Sequence, residues 1–320
     1  MEIPRRRVAA TAAVRTFRGD ESAPPSQITD ARTHGARPGM EKKRRQIFRF
    51  AELLDHALAR TDVYAKARCR AVDFGCGKGY LAFAAHALLS ARCAGAVRVE
   101  GVERRRAPAR VSSVGIAPAP NLKRRGLRPA LVDDANAAAA RVGARDELAF
   151  VAGDIGPVGD VDVVVALHAC DTATDDALAA AVAGGATAIL AAPCCHKELR
   201  PQLDGRLKDD DDPALSELLR HGVLADRHAE AVTDAMRCLA LEAAGYASRV
   251  VEWAPLDHTA KNTMIVATLG GARDGDVVKA RLAALATRHG VTRHKLCGLL
   301  GVDLPGAAAP RAAPKGRMPP

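Results

Sequence analysis

Aromatic residues are scarce: six Phe, three Tyr and one Trp make up 3% of the 320 residues. So lean a chain cannot lay out an extended stacking platform for single-stranded nucleic acid. Its core has to be assembled from Ala, Val and Leu. No apolar run reaches the roughly 18–20 residues that a membrane-spanning helix needs. Cysteine is thin as well, eight in 320 residues. That is too few for a disulfide scaffold, and a reducing compartment is the expectation. What the chain does have is length and 48% hydrophobic residues, enough to bury a sizeable core without staples.

The formal net charge of +10 suggests a nucleic-acid partner until it is located. Residues 1–45 carry 11 basic and 5 acidic groups, 104–130 carry 8 basic and none acidic, and 302–320 carry 3 basic and 1 acidic. These three segments together hold +16, so the remainder is about −6. Residues 1–40 mix Arg, Ala, Pro, Ser and Thr without an apolar period and read as a disordered tail. Five Arg against one acid in the first 19 residues also fit a transit segment for a chloroplast or mitochondrion. The default expectation is cytoplasmic.

Periodicity organises the rest. Ile47, Phe50, Leu54 and Leu58 recur at helical spacing. Short apolar runs at 70–74, 97–102, 148–152, 161–167 and 186–192 read as strands, separated by helical patterns at 80–91, 130–142 and 174–182. Such alternation predicts an α/β, doubly wound, mostly parallel sheet. A long helix is expected at 224–244. Two more strands, 248–253 and 263–269, are joined by a nine-residue loop and should be antiparallel neighbours, giving seven strands with an antiparallel last one. A final helix is expected at 276–290. The resulting division is a tail at 1–40, one domain at 41–300 and a second tail at 301–320. The four-Asp run at 209–212 reads as a solvated loop. Residues 106–129 have no period and no acids, an uncommon connection inside a compact domain. They are an atypical insertion: either a surface loop or an unspliced intron in the gene sequence.

The most informative stretch is Asp73-Phe74-Gly75-Cys76-Gly77-Lys78-Gly79-Tyr80. A strand, a glycine turn and a helix start follow one another there, so a ligand can approach the backbone closely. Tyr80 stands where a dinucleotide fingerprint needs its last glycine, and Lys78 precedes a glycine rather than Ser or Thr. Asp73 at the strand end repels a pyrophosphate and suits a cation. The cofactor indicated is S-adenosyl-L-methionine, which carries an ammonium and a sulfonium. Glu103, ending the second strand, is placed for the ribose hydroxyls. Asp154 after the third strand is placed for the adenine edge, and Ile155 beside it and Leu167 after the fourth strand are counted with the cofactor-binding residues. Each acid could instead only cap the next helix.

These residues resemble those of the class I S-adenosylmethionine-dependent methyltransferases. The motifs Gly101-Val102-Glu103-Arg104-Arg105, Leu167-His168-Ala169-Cys170-Asp171-Thr172-Ala173-Thr174-Asp175, Ala192-Pro193-Cys194-Cys195-His196-Lys197-Glu198-Leu199 and Asp257-His258-Thr259-Ala260-Lys261-Asn262 narrow the likeness. They are similar to the methyltransferase domain family found in bacterial and plant proteins and in the glutathione S-transferase C-terminal domain-containing protein. Methyltransferase-like proteins and a tRNA 2′-O-methyltransferase are more distant cousins. The resemblance runs from Lys42 to Gly270. It departs from the family at Ala260, where Pro is usual, and at the insertion.

Methyl transfer needs an aligned acceptor and exclusion of water. Polar groups gather where such a site would lie: His168, Cys170 and Asp171, then Cys194, Cys195 and His196, then His258, Lys261 and Asn262. Asp171 or His196 could act as general base, and His168 is counted with them among the catalytic candidates. Lys261 is suited to a phosphate or an acidic acceptor. Asp171 or Thr172 could equally cap the next helix. No N-P-P-Y signature is present, which disfavours methylation of a base amine by that route. Adjacent cysteines are poor chelate spacing and no C-x-x-C occurs, so no metal is expected. The acceptor is unknown. RNA is slightly favoured through the tRNA-modifying cousins. The rival reading is a catalytically silent module that binds S-adenosylmethionine.

Overall fold

A computed structural model describes residues 41–103, 129–167, 169–206, 213–254, 261–271 and 273–306. The readings of residues 1–40, of nearly all of the insertion, of the Asp run and of His168 and His258 therefore lie outside the described residues.

Helix α1 (Glu41–Leu58) is amphipathic: Ile47, Phe50, Leu54 and Leu58 are all buried. Strand β1 (Arg68–Phe74) leads through the glycine turn into α2 (Tyr80–Arg92). Then come β2 (Ala96–Glu103), α3 (Pro129–Arg141), β3 (Leu148–Ala152), β4 (Val163–Ala166), α4 (Ala173–Ala183) and β5 (Ala188–Ala191). Two short helices, α5 (Arg200–Arg206) and α6 (Pro213–Leu219), precede the 22-residue α7 (Gly222–Ala243). Strands β6 (Tyr246–Glu252) and β7 (Thr263–Leu269) and helices α8 (Gly275–His289) and α9 (Lys295–Leu299) complete the chain.

The seven strands form one sheet in the order β3-β2-β1-β4-β5-β7-β6. The first five are parallel, and β7 runs antiparallel to both β5 and β6. The expected mostly parallel sheet with an antiparallel last strand is what the chain adopts. Side chains alternate across it, as the pleat requires. Ala71, Val99, Val163, Val165 and Leu190 face a core built with α1, α2 and α3. Val72, Val102, Val164, Ile189 and Ala191 face a second core with α4, α7 and α8. Both layers are made largely of Ala, Val and Leu. Among the described residues no helix is long and apolar enough to cross a membrane.

Packing runs past residue 300. Leu304 is 8% exposed and belongs to the second core, so the packed chain extends beyond the expected start of the C-terminal tail.

Candidate cofactor and acceptor site

In the parallel register Asp73 pairs with Val165 of β4 and with Gly101 of β2, so the carboxyl ends of β1, β2 and β4 share one sheet edge. The glycine turn is folded onto that edge. Gly75 N donates to the Val102 carbonyl at 2.8 Å, and Gly77 N donates to Glu103 Oε2 at 2.8 Å. Gly75, Gly77 and Gly79 have φ of 72°, 55° and 77°, the left-handed region where a Cβ is costly. Gly79 has a second reason to be glycine: an added Cβ would lie 2.5 Å from Phe150 Cε1. At Gly77 an added Cβ meets nothing within 4 Å, because that side of the turn opens toward the pocket.

Lys43, Asp73, Gly75, Gly77, Tyr80 and Leu167 are among the residues lining that pocket. Asp73 is 2% exposed, and its Oδ2 has no hydrogen-bond partner. Burial pushes its pKa up to about 8, and Glu103 adds to the rise, while a backbone hydrogen bond from Ala82 and the Lys43 ammonium oppose it. A buried carboxylate with an orphaned oxygen on a pocket wall is a seat for a cationic ligand. The donor set fits S-adenosylmethionine on that ground.

The candidate acceptor rim is assembled from three loops. Strands β4 and β5 are parallel, so Leu167 and Ala192 emerge side by side. Strand β7 is antiparallel to β5, with Ile265 opposite Ala191, so its entry residues Lys261 and Asn262 reach the same edge. The loops are tied together. Asp171 Oδ1 accepts the Lys197 N–H at 2.8 Å, and the Asp171 carbonyl accepts from Arg237 Nη2 at 3.1 Å. Asp171 itself has φ 54°, unusual outside glycine. Arg237 forms a two-pronged pair with Asp175 (2.9 and 2.8 Å) and bonds Asp234 at 3.1 Å, all three buried. Burial works against the guanidinium charge, but the two carboxylates outweigh it and hold its pKa above the usual value.

The structure brings Asp73, Gly75, Gly77 and Leu167 onto one pocket and stands Glu103 behind the turn. Gly79 acts from below, as the left-handed residue before α2. Asp154 is exposed, and Ile155 packs on the second core. The two described candidates for acid–base work are held by the protein. The Asp171 carboxylate is engaged with the Lys197 amide. His196 is buried, with Nε2 3.0 Å from Asp234 Oδ1 and Nδ1 unpartnered. Lys261 is ion-paired to Glu230; burial lowers its pKa, and nearby Arg227 adds to that.

Several groups of the site carry no sequence signal of their own. Lys43 belongs to the first turn of α1, thirty residues before Asp73, and its pKa is lowered by burial and raised by Asp73. The Asp175–Arg237–Asp234 network joins α4 to α7 across 62 positions, and no local spacing signals that. The motif around Asn262 does not show that it is buried with an unpartnered side-chain NH2, as is the Trp253 indole N–H. The three thiols of Cys170, Cys194 and Cys195 come within 4.8 Å of one another, although their spacing along the chain argues against a cluster.

Residues 42–115 and 126–202 match the model of a family described as a methyltransferase domain. No curated protein matches the chain. Among solved structures, a putative S-adenosyl-L-methionine-dependent methyltransferase from Methanococcus maripaludis is 11% identical, with 86% of this chain and 99% of that one covered and a TM-score of 0.38. The fibrillarin pre-rRNA processing protein of Methanococcus jannaschii is 15% identical over 64% of this chain and 68% of that one, at a TM-score of 0.36. A methyltransferase from Thiobacillus denitrificans, in complex with S-adenosyl-L-homocysteine, is 14% identical over 90% and 83%, at 0.32. Scores this low favour no acceptor over another; the matched domain carries the assignment. That match spans the glycine turn and both polar loops after β4 and β5, so this stretch of the chain is a methyltransferase domain.

Proposed function

We propose that this methyltransferase acts on RNA, with its cofactor seated over the glycine turn and the acceptor admitted at the rim of the β4, β5 and β7 loops. The observation that carries the cofactor placement is the buried, unpartnered Asp73 oxygen on the pocket wall. When bound, S-adenosylmethionine supplies an electrophilic methyl group. The chain's own residues do the rest. Asp73 neutralises the ligand's ammonium. Gly77, with open space where a side chain would be, lets the ligand lie against the backbone. Glu103 has one oxygen on the Gly77 amide and offers the other to the ribose hydroxyls. Asp154 and Ile155 flank the adenine, and Leu167 keeps water from the methyl side.

Asp171 and His196 serve as positioning residues in this reading, since hydrogen bonds within the protein already occupy both. The general base we assign is His168, because it directly follows the pocket residue Leu167 in the chain. Lys261 exchanges its Glu230 partner for a phosphate of the acceptor. The RNA preference is supported by the run Lys42-Lys43-Arg44-Arg45 at the start of α1, whose Lys43 lines the cofactor pocket. Phosphate attraction from such a run needs no aromatic platform.

The test is transfer of a tritiated methyl group from S-adenosylmethionine into fractionated cell extract, with nuclease and protease arms. Label that nuclease removes and protease spares supports RNA. Label that only protease removes moves the acceptor to protein. Saturable cofactor binding in calorimetry with no label in any fraction supports the silent-module reading instead. A Gly77→Asp variant should abolish both binding and label.

A further inference from the structure

We propose that Cys170, Cys194 and Cys195 form a thiolate site for a zinc-like divalent cation, with the fourth coordination position open toward the acceptor rim. The Sγ atoms of Cys170 and Cys194 lie 3.2 Å apart and those of Cys194 and Cys195 3.7 Å apart, and all three fall within 4.8 Å. A tetrahedral zinc–thiolate site, with Zn–S of about 2.3 Å, has sulfur–sulfur edges of roughly 3.8 Å. The trio is therefore already at ligand spacing, and small side-chain rotations would even out its edges.

The backbone holds it there. Cys170 precedes Asp171, whose carboxylate clamps the β5 loop through the Lys197 amide, so the bond that closes the rim also sets the distance between the thiols. Cys170 is exposed, which gives the ion a path in, while Cys194 and Cys195 are half-buried. Three thiolates and a dication leave one net negative charge. The Lys261 ammonium is near enough to Cys194 and Cys195 to feel their charge. Among the described residues no fourth ligand joins the group. A site with three protein ligands and one free position is the arrangement of reactive rather than purely structural zinc. Loading replaces three S–H protons, which pass to solvent, so affinity falls as pH falls. No redox change is involved.

The full chain, purified in a phosphine reductant and stripped of metal, should be titrated with Cd²⁺ and read by thiolate-to-metal absorption, with Zn²⁺ as competitor. The expected result is one ion per chain displaced by Zn²⁺, and a thermal unfolding midpoint that rises on loading. Cys170→Ser, Cys194→Ser and Cys195→Ser should each weaken binding at least about tenfold and abolish the rise in midpoint. Cys238→Ser, on α7, should change neither. Circular dichroism establishes that each variant is folded, and none of these readouts requires methyl transfer. Absence of a stoichiometric band in the reduced chain overturns the proposal, as does equal weakening by Cys238→Ser. So does a Cys170–Cys194 disulfide formed in air by a chain that binds no cation when reduced, since the thiols would then be a redox pair.

Discussion

Asp73 sets the behaviour of the candidate cofactor pocket. Its pKa stands near 8 in the folded chain because the carboxyl is buried. The sign follows from proton counts: the folded state keeps a proton that the unfolded chain loses near the ordinary carboxylate value, so stability falls as pH rises from about 4 through about 8. Thermal unfolding of the cofactor-free wild type should therefore lose ground to Asp73→Asn between pH 6 and 9. Saturating S-adenosylmethionine should recover it, because its ammonium favours the ionised carboxylate. The comparison with the variant matters, since burial also raises Glu198, to about 7, and gives the same slope. Asp73→Asn should cost about 1.5–3 kcal/mol of cofactor binding in calorimetry, the worth of a charged hydrogen bond.

Gly101 faces the same crowding as Gly79: an added Cβ would sit 2.4 Å from Phe150 Cδ1. Gly101→Ala should lose about 1–3 kcal/mol in urea unfolding, as an overpacked core does. Arg237→Met should lose about 3–5 kcal/mol, because Asp175 and Asp234 would be left buried without their counter-charge. The acids and glycines at the strand ends are readable in the sequence, because topology dictates where a parallel sheet binds. Arg237 is not, because a buried charge declares itself only through partners far along the chain.

At the scale of elements, strands show themselves as bounded apolar runs. β3 and β7 begin and end where the runs do, at Leu148–Ala152 and Thr263–Leu269. β4 is shorter than its run of 161–167, because 163–165 find ladder partners on both sides and Ala166 on β5 alone. Helices α5, α6 and α9 are illegible in the sequence, being too short to show a period. Tertiary bonds hold two of them: Gln202 on α5 accepts from the Thr292 and Arg293 amides, and Lys295 on α9 pairs with Asp176 on α4. α1 is the opposite case, a helix legible from its stripe alone. Its Phe50 is fully buried in the first core, so Phe50→Ala should cost about 3–5 kcal/mol by chemical denaturation.

Over the whole molecule, the +10 charge is a property of segments rather than of the sheet that carries the site. Any hold on RNA must therefore be local. Replacing Lys42, Arg44 and Arg45 with Ser should weaken RNA binding across sequences alike. It should also flatten the salt dependence by about 0.7 in the log–log slope for each phosphate no longer neutralised, as measured by filter binding at several salt concentrations. Cofactor affinity should hold, because Lys43 is left in place.

Phe150 has one more consequence. Its amide and carbonyl are both gripped by the side chain of Asn136 on α3, each at 2.8 Å, while its ring fills the space under Gly79 and beside Gly101. α3 is thereby moored to β3 by its own asparagine, independently of how the chain travels from Glu103 to Pro129. Through the Phe150 ring that mooring carries on to the floor of the glycine turn, so a single asparagine ties helix, strand and turn together.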